Sequence, residues 1–199
     1  MMAHAFMRFC TAGLAMIVVL ASVAASRAAD IPSSRRTQLG LYMTAVEASR
    51  AVAANRDKVL FLDVRTPGEL MFVGAASEVD ANVPFADLAR PLQWDATNNR
   101  PLFVRNEAFV STVERRLKEK SLGKSDQVIV MCRSGDRSAK AVDVLASAGF
   151  TNVWTVIDGF EGDPSKDGRR DVNGWKNSGL PWTTTLDKSK LDLATDARE

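Results

Sequence analysis

Val128-Ile129-Val130-Met131-Cys132-Arg133-Ser134-Gly135-Asp136-Arg137-Ser138 decides how the rest of this 199-residue chain is read. The first four residues are an uninterrupted apolar run, as in a strand buried on both faces. Residues 139–148 follow with a helical pattern that buries Ala141, Val142 and Leu145, with Ala146 beside them, and Gly149 is placed to end it. A buried strand, a tight polar loop and a helix N-terminus thus succeed one another. Such a loop turns backbone N–H groups towards one point, where the helix dipole adds positive potential. Arg133 and Arg137 add full charges. Cys132 opens the loop, so its sulfur belongs at the positive end, where the nucleophilic thiolate is favoured. An inert core thiol is the competing reading, and the polar, doubly basic flank argues against it. Ser134 and Ser138 can donate hydrogen bonds, and Gly135 permits the tight turn. Asp136 is expected to cap the following helix rather than to sort anions.

Outward from the loop, short apolar runs alternate with helical patterns. Thr44-Ala45-Val46-Glu47 has capping-box spacing and starts a helix that runs to about Asn55. Lys58-Val59-Leu60-Phe61-Leu62-Asp63-Val64 reads as a buried parallel strand. It delivers Asp63 and Arg65 to the carboxyl edge of the sheet, beside the cysteine loop, where α/β sites form. Residues 69–71 suggest a short helix and residues 79–85 another strand. Residues 86–105, with two prolines and little periodicity, read as a long connection that covers the site. Residues 107–120 form an amphipathic helix with Phe109, Val113 and Leu117 on one face, stopped by Gly123. Asn152-Val153-Trp154-Thr155-Val156-Ile157 is a further strand. The fold class is α/β, a small central and mostly parallel sheet with helices on both faces.

The first 28 residues read as a secretory signal peptide: Arg8, an apolar run over 9–23, then small residues ending at Ala28. The apolar part is short for a spanning helix. A flexible leader over 29–41, a domain over 42–184 and a tail over 185–199 complete the chain, which is expected to be periplasmic or secreted. Removing residues 1–28 takes away Arg8 and Arg27 and no acid, leaving 24 basic and 24 acidic side chains. That balance gives no electrostatic case for nucleic acid or an anionic membrane as partner. Cys10 and His4 leave with the same segment, so the mature chain holds one cysteine and no histidine. Cys–His and Ser–His nucleophile pairs and histidine metal sites are thereby excluded, and no metal or cofactor is expected. Cys132 must be activated by backbone N–H groups and arginines alone.

From Thr44 to Trp182 the chain resembles the rhodanese-like domain. The matching pieces are Asp63-Val64-Arg65-Thr66-Pro67 with Glu69, and Cys132-Arg133-Ser134-Gly135-Asp136-Arg137-Ser138. Ala148-Gly149-Phe150 with Val153, Asp158-Gly159-Phe160, and Trp175 with Gly179-Leu180-Pro181 follow in the family's order. The resemblance implies a persulfide on Cys132 and sulfurtransferase activity, from a small anionic donor such as thiosulfate to a thiol or cyanide-like acceptor. It makes residues 133–138 the substrate-binding loop, with Asp63 and Arg65 as supports. For Arg65 an ion pair with Glu69 is the expectation. The family's Gly-His before a small-residue turn is absent, since Gly74 is followed by Ala75, and residues 161–173 are an insertion. The long ending is similar to exported members associated with quinoprotein alcohol oxidation. Because fold and motif do not fix function, the alternative is a non-catalytic sulfur-carrier or protein-interaction module of the periplasm, accessory to quinoprotein alcohol oxidation.

Cysteine phosphatases also hold a thiolate in an N–H bowl with an arginine clamp. Their loop places five residues between Cys and Arg, whereas four separate Cys132 from Arg137. The shorter bowl suits a sulfur atom better than a tetrahedral phosphate. Within the insertion, Asp163, Ser165, Asp167, Gly168 and Asp171 match positions of a calcium loop. The bidentate acid of its last position is replaced by Gly174, so a solvated acidic turn is expected there.

Overall fold

The computed structural model describes residues 31–193; the proposed signal peptide lies outside them. In chain order the elements are β1 (Tyr42–Met43), α1 (Ala45–Ala54), β2 (Val59–Asp63), α2 (Pro67–Val73), β3 (Ala75–Ala76) and β4 (Ala81–Asn82). Then come β5 (Ala86–Leu88), β6 (Trp94–Asp95), β7 (Arg100–Pro101), β8 (Phe103–Arg105) and α3 (Phe109–Glu119). The chain continues with β9 (Gln127–Met131), α4 (Asp136–Ser147), β10 (Val153–Val156) and β11 (Trp182–Thr183). The main sheet has the order β1-β10-β9-β2-β4, and every pairing in it is parallel.

Side chains alternate across this sheet with the period of two that strand geometry dictates. Leu60, Leu62, Val128 and Val130 face α3 and α4, against Phe109, Val113, Leu117, Val142 and Leu145. Val59, Phe61, Ile129 and Met131 face the other way, against Ala45, Ala48 and Val52 of α1 and against Phe160 and Trp175. The rings of Phe61 and Trp175 lie 5.3 Å apart. Burial on both faces explains why β2 and β9 read as unbroken apolar runs. Both helices that start after a threonine carry a full capping box, Thr44 with Glu47 and Thr66 with Glu69.

Three local expectations give way. Residues 86–105 are not an irregular connection but a folded arm of two short antiparallel ladders, β5 with β8 and β6 with β7. Helix α3 ends on Ser121, left-handed at φ 59°, with Leu122 N–H bonded to Leu117 O at 2.9 Å, so Gly123 is not the stop. The leader is pinned from Ile31 onward: Arg35 pairs with Asp163, and Gln38 N–H donates to Asp143 at 2.8 Å. The insertion closes as a small hairpin with Pro164 bridged to Arg170. Its Asp163 carboxylate is taken by Arg35 and by Asn173 Nδ2 at 3.0 Å. Of the tail, Leu191 bridges to Asn82 and Asp192 pairs with Arg115.

Candidate active site

Strand β9 ends at Met131, and the chain turns through Cys132 to Gly135, which precedes α4. Gly135 is left-handed at φ 98°, and a β-carbon there would collide with the Ile157 carbonyl, so this corner admits only glycine. The turn brings Gly135 N–H within 3.2 Å of Cys132 Sγ. The sulfur thus accepts a backbone hydrogen bond at the positive end of a 12-residue helix, and Cys132 is only 1% exposed. A second glycine fixes the loop from outside. Phe160 N–H donates to Cys132 O at 2.8 Å and Glu161 N–H to Arg133 O at 2.9 Å. A β-carbon on Gly159 would lie 2.6 Å from both carbonyl oxygens. The Asp-Gly-Phe segment is therefore a backbone tie under the loop, and Asp158 adds to it by accepting Ala45 N–H at 2.8 Å and Gly174 N–H at 3.2 Å. Burial holds the Asp158 carboxyl above its ordinary pKa despite these donors.

The loop's side chains divide into those that face outward and those that do not. Arg133 is exposed. Ser134 Oγ is 3.3 Å from Asp136 Oδ2 rather than on the sulfur. Ser138 is fully buried, its hydroxyl donating to Gly135 O at 3.0 Å and lying 2.9 Å from Thr155 Oγ1, so it braces the loop from within. Asp136 is not the cap. It is the first residue of α4, accepts from Ser34 Oγ at 2.7 Å and lies 3.9 Å from Arg35 Nε. An acid in the first turn still complements the dipole.

Arg137 reaches Glu69 of α2 with both terminal guanidinium nitrogens, Nη1 donating to Oε2 at 2.8 Å and Nη2 to Oε1. The expected Arg65–Glu69 pair is accordingly absent. Arg65 instead turns back on Asp63, with Nη2–Oδ2 2.6 Å, Nε 3.1 Å from both carboxylate oxygens, and its own N–H 3.0 Å from Oδ1. Both side chains are fully buried, and Arg65 Nη2 also donates to Gly74 O at 3.0 Å. Its guanidinium lies 4.1 Å over the Phe160 ring, the residue that ties Cys132 O. Asn82 Nδ2 donates to the carbonyls of Asp63 and Arg65 and holds this turn against β4.

Burial pushes the Glu69 carboxyl up, but the Arg137 hydrogen bond and charge, with the Thr66 donors, outweigh it and leave its pKa below the ordinary value. For Arg137 burial works against the charge; Glu69 overcomes it, and the negative charges of a Cys132 thiolate and Asp63 add to the rise. A depressed carboxylate contributes stability above its unfolded pKa and loses it as pH falls through the folded one. Glu69→Gln should therefore cost stability at neutral pH, and the gap to wild type should close as pH drops below the ordinary carboxylate range. Urea midpoints measured along a pH series test this; a constant gap would contradict it.

Beside the loop lies a cavity of about 470 Å³ lined by Glu69, Phe85, Ala86, Arg100, Phe103, Arg105, Arg133, Arg137 and Lys140. Arg100, Phe103, Arg105 and Lys140 are not among the residues that the sequence singles out. Lys140 could have been found from its helical spacing to Arg137; the other three depend on where the arm folds. Among the described residues no cluster of metal-ligating side chains occurs.

Fold and loop together define a parallel α/β domain with a cysteine-centred, cation-lined site. The chain belongs to the rhodanese-like domain family, whose profile matches residues 44–163. It is 30% identical over 140 residues to a protein of Arabidopsis thaliana named thiosulfate sulfurtransferase 16, chloroplastic, covering 68% of this chain and 92% of that one. An uncharacterized Rickettsia conorii protein is 29% identical over 128 residues, 64% of this chain and 85% of its own. Among solved structures, Rv0390 from M. tuberculosis aligns with a TM-score of 0.54 at 29% identity, over 72% of this chain and 97% of that chain.

Proposed function

We propose that this protein is a sulfurtransferase that carries sulfane sulfur on Cys132. The observation that supports this most directly is the sulfur of Cys132, held by the Gly135 N–H at the N-terminus of α4 with Arg133 and Arg137 in the same loop. The Cys132 thiolate attacks the sulfane sulfur of thiosulfate. The S–S bond of the donor breaks, sulfite leaves with the bond's electron pair, and a Cys132 persulfide anion remains. The helix N-terminus and cations stabilise that anion as an oxyanion hole does, and burial shields it from water. In the second half a nucleophile takes the outer sulfur and Cys132 returns as thiolate; cyanide gives thiocyanate.

Mass spectrometry of the intact protein after thiosulfate tests the reading: one sulfur atom should be gained, and cyanide should remove it. Arg133→Ala should slow loading by thiosulfate about fivefold more than loading by a neutral organic trisulfide, as for an exposed charge contact of about 1 kcal/mol. A reactive thiol that no donor ever loads would overturn the reading and leave a non-catalytic binding module in its place.

A further inference from the structure

The cavity is too large and too cationic for a small sulfur oxyanion alone. An oxyanion that displaces about three waters fills about 90 Å³, and the cavity holds about 470 Å³. Its walls carry Arg133, Arg137 and Lys140 from the loop and α4, and Arg100 and Arg105 from the arm. The one acid on the wall, Glu69, is taken up by Arg137. Arg105 pairs with exposed Glu107, while Arg133 and Lys140 make no ion pair among the described residues.

The two sets of cations are joined through an aromatic ring. Phe103 stands between them, with the Arg100 and the Arg137 guanidinium each 5.7 Å from its centroid. This contact seats the arm against the cysteine loop and leaves Phe103 and Phe85 as an apolar wall between two positive ends.

We infer that the sulfur acceptor is a small organic thiol with at least two carboxylates and an aliphatic body. One carboxylate meets Arg133 and Lys140, the other meets Arg100 and Arg105, and the body lies on Phe85 and Phe103. Arg100 and Arg105 are thus specificity determinants contributed by the arm. The inference rests on the sulfurtransferase reading and names its acceptor. The acceptor sulfur attacks the outer sulfur of the Cys132 persulfide anion, the old S–S bond breaks, and a new one forms on the acceptor. The acceptor's proton ends on the product persulfide, and Cys132 leaves as thiolate.

The test loads the full chain with thiosulfate and follows loss of sulfur from Cys132 by mass spectrometry. Mercaptosuccinate and glutathione, both dicarboxylates, are compared with neutral 2-mercaptoethanol. Each thiol's intrinsic reactivity cancels in the ratio of wild type to Arg100→Ala/Arg105→Ala. That ratio should be about tenfold larger for the dicarboxylates, as for loss of a charge-assisted contact. The charge-retaining Arg100→Lys/Arg105→Lys protein should recover much of the difference, which a merely misfolded arm would not explain. Equal ratios for charged and neutral thiols overturn the inference while leaving sulfur transfer intact. Should thiosulfate load no sulfur at all, calorimetry of mercaptosuccinate with Cys132→Ser decides the inference separately: binding that the double alanine variant loses supports it, and no binding refutes it.

Discussion

Cys132→Ser should take up no sulfur from thiosulfate and lose turnover by about a thousandfold or more, because the ionised thiol is both the nucleophile and the carrier. A serine hydroxyl at the same helix N-terminus stays protonated, and the described residues hold no histidine to take its proton. An oxygen also cannot hold the transferred atom as a persulfide. The fold should survive the change. Cys132 packs in the cluster that includes Val130 and Val142, and the Gly135 N–H can donate to a hydroxyl as it does to the sulfur. The stability cost should stay within about 2 kcal/mol. Intact-mass measurement after thiosulfate, beside a urea titration of the same protein, separates the two effects. Sulfur found on the Cys132→Ser protein would place the acceptor atom elsewhere and end the proposed mechanism.

The part of the site that was legible in the sequence is the part made by neighbours in the chain. The apolar run 128–131, the glycine that permits the left-handed corner, and the helical pattern beyond it are local, so β9, the loop and α4 could be placed. The Thr44 capping box is local as well, whereas the equally local Thr66–Glu69 box is one that only the structure brought out. The side chains whose direction depends on packing were not legible. Ser138 looked like a donor to the bowl, yet its place on α4 turns the hydroxyl inward onto Thr155 of β10. Asp136 looked like a cap, but the left-handed Gly135 before it takes that position. Arg65 has two acids within reach, Asp63 and Glu69, and spacing alone does not choose. Arg137, 68 residues away from Glu69, makes the choice by taking it. The arm over residues 86–105 hides its ladders because strands of two or three residues carry no periodicity to read.

The Asp63–Arg65 pair should carry the largest single stability effect outside the cysteine loop. Asp63→Ala leaves the fully buried Arg65 guanidinium without its main counter-charge, and such a break costs about 3–5 kcal/mol. That is a large fraction of the roughly 5–15 kcal/mol that holds a typical domain together. Arg65 Nη1 already has no hydrogen-bond partner in its pocket, so the site has nothing in reserve to absorb the charge. Replacing both members, as Asp63→Ala/Arg65→Leu, removes the stranded charge and should cost less than Asp63→Ala alone, the reverse of what two independent contacts would give. The pair also bears on the loop. Arg65 stacks on Phe160, and the Phe160 N–H holds the Cys132 carbonyl, so loosening Arg65 should slow sulfur loading even in protein that remains folded. Urea unfolding of the two variants, with thiosulfate loading measured well below the midpoint of each, tests both consequences. A cost below about 1 kcal/mol for Asp63→Ala would mean that water reaches the guanidinium, which a pair with 0% exposed side chains does not allow.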